Sequence, residues 1–303
     1  MISFLLILIT ALFFPGIILR IKSITSGRKG PDILQPWKNI LILLRKSSTF
    51  SSTTSYIFQI APVIYITTII CAMLLMPFAG YKLIFGFNGD FILFAYLLAL
   101  GKFFFILSAM DTGSSFEGMG ANREALYSML VEPAFFILIG TIALLTGYTS
   151  MQEIFANLQL ANHYYFIISI ILIYLLIQIA MIENSRMPVD DPKTHLELTM
   201  IHEVMILDHC GFDLALIQIG TTLKFAIYGT FIANFVIPVN LPIVLQLSIY
   251  FSTQIIFAAI IGFLESFRAR KKLMKNPQFI VSLSSIALVA FILSLLLLHQ
   301  MLK

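Results

Sequence analysis

The side chains best suited to chemistry in this sequence are carboxylates gathered in one stretch, residues 183–224, of an otherwise apolar chain. Seven acids fall there: Glu183, Asp190, Asp191, Glu197, Glu203, Asp208 and Asp213. A carboxyl group that is removed from water has a raised pKa and can exchange protons near neutral pH. Proton transfer is therefore the first chemistry that the stretch suggests.

Glu197 is the acid whose predicted surroundings are the most unusual. Asp190 and Asp191 precede a proline, a combination typical of a helix start. Projected at about 100° per residue, Glu197 falls among the apolar side chains of the following helix rather than among its histidines. Two interpretations stay open: a desolvated acid that exchanges protons, or an acid paired with Arg186 or Arg123.

The histidines of the same stretch do not predict a metal site. His195, His202 and His209 are seven residues apart, which is roughly 10 Å between neighbours on a helix. One ion cannot bridge that distance, unlike the i,i+4 histidine pair of a zinc helix.

Two lysines and one glutamate are candidates inside or beside the apolar runs. Lys102 either faces protein and water or extends its stem to the membrane surface. Lys224 shares a helical stripe with Asp213, which indicates either a buried polar track or helix–helix hydrogen bonding. Residues 122–130 are predicted to form a separate short helix before Pro133 starts the fourth span. Glu132 directly precedes Pro133, where a simple helix-start acid is the alternative to a functional one.

Composition indicates a membrane protein, because 59% of the 303 residues are hydrophobic and only 11% are charged, against about 25% charged in soluble domains. Continuous apolar runs predict helices, so the expected fold is an all-α bundle in one integral membrane domain, 1–303. The eight expected spans are 2–20, 57–79, 91–109, 133–149, 164–182, 213–236, 243–265 and 279–299.

Basic residues predict the orientation. With the amino terminus outside, fifteen of the nineteen Lys and Arg residues fall in inward loops, as the positive-inside rule requires. Both termini then face out, and the acid-rich loop faces the cytoplasm. The net charge of +4 is explained by this bias and does not indicate nucleic-acid binding.

The first inward loop contains a short amphipathic segment, Trp37 to Leu44, and further amphipathic helices are expected in the other cytoplasmic loops. Trp37 is interpreted as an anchor at the lipid headgroups, with a docking or mouth-lining helix as the alternative. Cys71 and Cys210 are far apart in sequence, which argues against disulfide or iron–sulfur ligation.

The segments ENSRMPVDDP and THLELTMIHEVMILDHCGFDLALIQIGTTLK resemble the membrane-anchor subunit of energy-converting nickel–iron hydrogenases, of the formate hydrogenlyase and hydrogenase-4 type. That family is related to the quinone-site membrane subunit of respiratory complex I. The resemblance also covers the loops GRKGPDILQPW and SSFEGMGANREALYSMLVEP. Where the complex I subunit has a glutamate early in its sixth span, this sequence has Thr221, which favours the hydrogenase branch.

The resemblance implies roles for particular residues. Glu132 aligns with a glutamate thought to begin a lateral proton route, and Glu183, Arg186, Pro188 and Asp190 match an E-x-x-R-x-P-x-D signature, with Glu197 as a following acid. The inner loops, which carry Trp37, Glu117 and Arg123, resemble loops that dock a soluble hydrogenase-like arm. The chain itself is expected to bind no metal and no redox cofactor.

We therefore expect a non-redox subunit of the cell inner membrane that docks the arm and couples redox chemistry to proton translocation. Its expected partners are hydrogenase-like large and small subunits and an iron–sulfur subunit, which carry the iron–sulfur clusters and nickel–iron centre, with antiporter-like membrane subunits and lipids. One alternative is a quinone-binding subunit of a complex I-like NADH dehydrogenase. Another is a stand-alone ion transporter, which the concentration of polar sequence on one face disfavours.

Overall fold

The chain folds into a helical bundle in the computed structural model, which describes residues 2–81, 83, 85–158, 163–190, 200–268 and 271–301. The helices of these residues are α1 (Ile2–Thr25), α2 (Gln35–Leu44), α3 (Tyr56–Leu74), α4 (Asp90–Asp111), α5 (Ser115–Thr146), α6 (Met151–Asn157), α7 (His163–Glu183), α8 (His202–Met205), α9 (Gly211–Val236), α10 (Ile243–Phe267) and α11 (Asn276–Met301).

Eight of the helices are long and apolar enough to cross a membrane, which confirms the predicted number of spans. They are α1, α3, α4, α5, α7, α9, α10 and α11. Helix α9 is the central one, because 78% of its apolar window is buried while no other candidate exceeds 56%. Side chains on α9 are therefore the ones best shielded from lipid.

The predicted start of the fourth span, residue 133, is wrong. Helix α5 begins at Ser115 and continues through Pro133 for 32 residues, so the separate short helix expected at 122–130 is part of the span. A proline inside a helix removes one hydrogen bond without necessarily ending the helix. Glu132 accordingly lies within the helix and not at its first turn.

Most of the helix expected after Asp190 falls on residues 191–199, which lie outside the described residues. Within residues 200–210, the α-helical residues are the four of α8. Asp190 accepts hydrogen bonds from the backbone N–H groups of Ile201 (3.2 Å) and His202 (3.0 Å). After α8 the chain turns, so Leu207 is exposed and His209 is buried, the reverse of the projected helix.

The long polar loops meet at one end of the bundle. This loop end consists of residues 26–55, 112–114, 184–190, 200–210, 268 and 271–275. Asp111 accepts from the backbone N–H of Ser55 (2.7 Å), and Lys271 N–H donates to the carbonyl of Pro188 (3.1 Å). At the opposite end, Asp90 accepts from Met151 N–H (2.7 Å). The loops are therefore sorted as the predicted topology requires, while the cytoplasmic position of the loop end remains a prediction.

Candidate functional site

Two lysines and two glutamates form a continuous buried cluster just below the loop end, here termed the charged quartet: Lys102, Glu124, Glu183 and Lys224. Lys102 Nζ lies 2.8 Å from Glu124 Oε1 and 3.2 Å from Glu183 Oε2. Lys224 Nζ lies 2.8 Å from the same Glu183 oxygen and 2.9 Å from the Glu183 backbone carbonyl. The charges alternate in sign and balance formally.

Each member of the quartet comes from a different membrane-spanning helix, in the order α4, α5, α7 and α9. Lys102, Glu124 and Lys224 are 6%, 3% and 2% exposed. Ionised groups inside a membrane bundle are costly and mark functional sites by default. Opposite charges compensate for their burial here. Lys102 therefore does not extend its stem to the membrane surface, and that alternative does not describe this structure.

Local backbone geometry brings Glu183 and Glu124 to the same place. Helix α7 ends at Glu183, and Ser185 follows with a positive φ of 49°. This turn directs the hydroxyl of Ser185 to Glu124 Oε2 at 3.1 Å. Asn184 donates back to the carbonyl of Ala180 (2.8 Å) and so satisfies part of the helix end.

Glu124 was missed by the sequence analysis. The signal was available, because Glu124 lies on the same stripe of α5 as the buried residues Ala121, Tyr127 and Val131. An acid on an apolar stripe is the criterion that selected Glu197. It was not applied here because the segment was assigned to a loop and a separate short helix.

A lateral cavity of about 320 Å³ extends from the quartet towards the side of the bundle. Lys102 and Glu183 line it together with Ser128, Glu132 and Tyr228. Glu132 is exposed, so the cavity joins a surface carboxylate on α5 to the buried charges. Most of its other lining residues are apolar, so ordered waters would be held only where these polar side chains face the cavity.

A larger inner cavity, of about 710 Å³, lies between α1, α2, α8 and α9 at the loop end. Its polar lining includes Arg186, His202, Glu203, His209 and Thr221. Burial lowers the pKa of the His202 imidazole to about 4, with Glu124 opposing and Arg186 reinforcing the shift. Burial alone lowers that of His209 to about 4. Both histidines are therefore neutral at physiological pH.

Trp37 holds α2 against this inner cavity. Its indole N–H donates to the carbonyl of Ala11 in α1 at 3.1 Å, and Gln35, Asn39 and Leu43 of the same helix line the cavity. The mouth-lining alternative therefore describes α2 in this structure. The interpretation of Trp37 as a headgroup anchor is not supported, because its polar atom is directed into the protein.

Arg186 is fixed by a second set of charges. Its Nη1 lies 3.1 Å from Glu265 Oε1, and Lys22 Nζ lies 2.9 Å from Glu265 Oε2. The guanidinium also stands 5.1 Å above the ring of Phe225. Glu265 thus connects α1 and α10 to the loop that follows α7.

The remaining predicted site residues lie apart from the quartet. Arg123 donates to the carbonyl of Met200 (3.1 Å), and Glu117 accepts from Asp208 N–H (3.2 Å), so both join α5 to the loop end. Asp213, 7% exposed, is in the first turn of α9, roughly 16 Å along the helix from Lys224.

Asp191 and Glu197 lie outside the described residues. Pro188 follows a cis peptide bond in the loop that carries Arg186. Among the described residues, no group of three or more His, Cys, Asp and Glu side chains could hold a metal ion.

Comparisons with known proteins place this arrangement in context. The model of a family described as "NADH dehydrogenase" matches residues 1–295. The chain is 32% identical to hydrogenase-4 component C of Escherichia coli (strain K12) over 232 residues, which is 76% of this chain and 72% of that protein. It is 28% identical to formate hydrogenlyase subunit 4 of the same strain over 201 residues, which is 65% of this chain and 64% of that protein.

More distant similarity extends to respiratory enzymes. NADH-ubiquinone oxidoreductase chain 1 of Cyanidium caldarium is 26% identical over 226 residues, 72% of this chain and 64% of that one. A chain in the structure of the membrane-bound sulfane sulfur reductase, an archaeal respiratory membrane complex, has the same fold. Its TM-score is 0.82 at 21% identity, with 96% of this chain and 98% of that chain covered.

Proposed function

We propose, from the premise that this chain belongs to the NADH dehydrogenase family and is a multi-pass integral membrane protein, that it moves protons for a hydrogenase-type oxidoreductase complex. It serves there as the membrane subunit that docks a soluble electron-transfer arm. The two relatives of highest identity given above are a hydrogenase-4 component and a formate hydrogenlyase subunit, which supports the hydrogenase type over the NADH dehydrogenase type.

The charged quartet is the observation that carries the proposal. Alternating lysines and glutamates within 2.8–3.2 Å can exchange a proton with small movements of their side chains. The lateral cavity leads from Lys102 and Glu183 to Glu132, and water molecules held at its polar side chains would carry the proton along it. The quartet also adjoins His202 and Thr221, which line the inner cavity. A buried, charge-balanced cluster between the inner and lateral cavities is suited to taking up a proton from one and releasing it to the other.

Coupling to the arm follows from electrostatics. An electron that arrives about 10 Å from one member of the quartet changes its energy by roughly 1.7 kcal/mol at an effective dielectric constant of 20. That energy changes a proton-binding equilibrium more than tenfold. The arm therefore needs to seat its redox centre close to the loop end, where Glu203 and Arg186 face the inner cavity.

The partners follow from the same arrangement. Hydrogenase-like large and small subunits and an iron–sulfur subunit would cover the loop end and carry the metal centres. An antiporter-like membrane subunit would lie against α5 at Glu132 and receive the proton. The complex would reside in the cell inner membrane, and Glu197 and Asp191 keep the proton-exchanging roles predicted from the sequence.

The deciding experiment replaces Glu183 by Gln in the assembled complex. We expect proton translocation into proteoliposomes to fall at least about tenfold, because a group in direct proton transfer contributes at least that much, while the soluble subunits still co-purify. Thr230→Val, on another face of α9, is the matched control and should leave translocation unchanged. Normal translocation by assembled Glu183→Gln complex would exclude the proposed route.

A quinone-binding subunit is the second candidate function, and the inner cavity is what favours it. Its volume of about 710 Å³ and its combination of apolar walls with His202, Glu203 and Arg186 suit a ring with polar substituents and an apolar tail. A quinone analogue that inhibits turnover of the purified complex would favour this candidate. Turnover that is insensitive to such analogues and to added quinone would eliminate it.

A further inference from the structure

Two neighbouring cavities form a groove between α1 and α10, on a different side of the bundle from the lateral cavity. The first, of about 240 Å³, is lined mainly by apolar side chains, among them Phe13, Ile17 and Ile255. The second, of about 400 Å³, is lined by Lys22, Arg28 and several hydroxyl groups. We term the pair the α1–α10 groove. One half suits a hydrocarbon chain and the other half suits a polar, charged group.

A single segment covers both halves of the groove. Pro31 lines the polar cavity and Ile33 lines the apolar one. The segment lies directly on α1, because any side chain at Gly16 would collide with the Ile33 carbonyl and a Cβ at Gly30 would stand 2.8 Å from that of Ser23. The two cavities therefore have a common roof, which indicates one elongated occupant.

The depth of the two cavities matches their chemistry. The polar one lies at the last turn of α1, near Ser23, and the apolar one is centred near Phe14. Nine residues of helix separate these levels, or roughly 13 Å. A headgroup at the membrane surface and the upper part of an acyl chain are separated in the same direction and by a similar distance, since the hydrocarbon core alone is about 30 Å thick.

The charge of the polar cavity selects the headgroup. Glu265 already neutralises Lys22 at 2.9 Å. For Arg28, by contrast, the described part of the chain offers no carboxylate within 4.0 Å. The ends of α1 and α10 add partial negative charge here, but Arg20, Lys29 and Arg268 add further positive charge nearby in sequence. An anionic group is therefore attracted.

Hydroxyl groups complete the polar half. Ser23 and Ser26 donate to the carbonyls of Leu19 and Lys22, each at 2.8 Å. These hydroxyls can rotate to donate to a phosphate oxygen instead, because a hydroxyl hydrogen turns to suit its acceptor. Arginine adds a fork of N–H donors that matches the geometry of phosphate oxygens.

We propose that the α1–α10 groove binds an anionic glycerophospholipid, with the phosphate at Arg28 and the serine hydroxyls and one acyl chain in the apolar cavity. A free anion would fill only the polar half. A peptide segment would need its backbone polar groups satisfied in the apolar half, where the lining offers few partners. A lipid satisfies both halves with a single molecule, and the site is independent of the proton route.

The test measures lipid retained by the full-length protein after exchange from nanodiscs that contain phosphatidylglycerol and phosphatidylcholine into detergent. Mass spectrometry should detect phosphatidylglycerol retained on the wild type in preference to phosphatidylcholine. Arg28→Gln should weaken retention about fivefold, as expected for one basic residue near an anionic surface. Ile255→Trp, which fills the apolar cavity, should have at least as large an effect.

Two matched variants serve as controls. Lys29→Gln makes the same change of charge one residue away from the lining, and Val244→Trp places the same bulk on an exposed part of α10; both should retain the lipid like the wild type. If Arg28→Gln and Ile255→Trp retained as much phosphatidylglycerol as the wild type, the proposal would be overturned. So would displacement of the lipid by inorganic phosphate alone, which would indicate a simple anion site, or a partner subunit occupying the groove in the purified complex.

Discussion

Two faces of helix α9 bury polar groups in different ways. On one face, Lys224 takes part in the charged quartet. About 120° around the helix, Thr230 accepts or donates a hydrogen bond with Tyr250 Oη at 2.8 Å and accepts one from Gln254 Nε2 at 3.2 Å. The second face, here termed the neutral cluster, joins α9 to α10 without any ionised group.

The difference between these faces indicates what the charges are for. Hydrogen bonds between uncharged side chains are sufficient to hold membrane helices together, as the neutral cluster demonstrates. A buried ion pair is often no more stabilising than apolar side chains of the same volume. The quartet is therefore a poor explanation of stability and a good candidate for chemistry.

Among variants that test the difference between the two faces of α9, Lys224→Met is expected to have the largest effect. Removing one lysine leaves an unbalanced negative charge in the quartet, which should cost about 3–5 kcal/mol of unfolding free energy. Denaturation of the purified protein in mixed micelles measures it. The double variant Glu183→Gln/Lys224→Met restores charge balance and should recover part of the loss; strictly additive losses would mean that the charges act independently.

Glu124→Gln is expected to reduce proton translocation by the assembled complex at least about tenfold, because Glu124 is the only acid of the quartet besides Glu183 and proton-transfer groups contribute at least that much. The rate of proton uptake per turnover in proteoliposomes is the measurement. Asp90→Asn is the control, since Asp90 is equally buried but accepts from the Met151 N–H and the Ser150 hydroxyl at the opposite end. An equal loss in both variants would point to general damage.

A pH titration tests the effect of burying His209 without a charged partner, in contrast to the paired charges of the quartet. His209 is stacked on Phe58, with ring centroids 4.0 Å apart, and burial lowers its pKa from 6.5 to about 4. The unfolded chain therefore binds a proton that the folded chain does not, so stability is lost as the pH falls from about 6.5 towards 4. The melting temperature of the wild type should fall by a few degrees more than that of His209→Gln; parallel curves would contradict this.

Thr230→Val removes a hydroxyl from the neutral cluster and tests the other face of α9. The expected loss of unfolding free energy is about 0.6–1 kcal/mol, the usual contribution of one interhelical hydrogen bond. Denaturation under the same conditions as for Lys224→Met provides the measurement. A loss as large as that of Lys224→Met would remove the distinction between the two faces.

The smallest effect is expected at an exposed ion pair. Lys38 Nζ lies 2.7 Å from Asp32 Oδ2, with both side chains more than half exposed, and the lysine lowers the pKa of the Asp32 carboxyl. Solvent screens such pairs almost completely. Lys38→Gln should therefore leave the melting temperature unchanged, and a clear decrease would show that ion pairs outside the bundle also matter.

Length and apolarity were enough to predict the eight spans, because the bilayer imposes both on any crossing helix. They were insufficient at Pro133, where the cost of one missing hydrogen bond is outweighed by helix packing. The sequence also selected Glu183, Lys102 and Lys224, since ionised residues beside apolar runs are conspicuous. Their direct contact depends on how four helices pack, which no local pattern encodes, and Glu124 was lost with the misplaced start of α5.

Pro133 has a consequence for the lateral cavity. Without an N–H group, it cannot donate to the carbonyl of Met129 four residues earlier, where an ordinary residue of α5 would. Met129 and Glu132 both line the cavity. The Met129 carbonyl therefore lacks the usual amide donor four residues later, and a water molecule in the cavity beside Glu132 could donate to it instead.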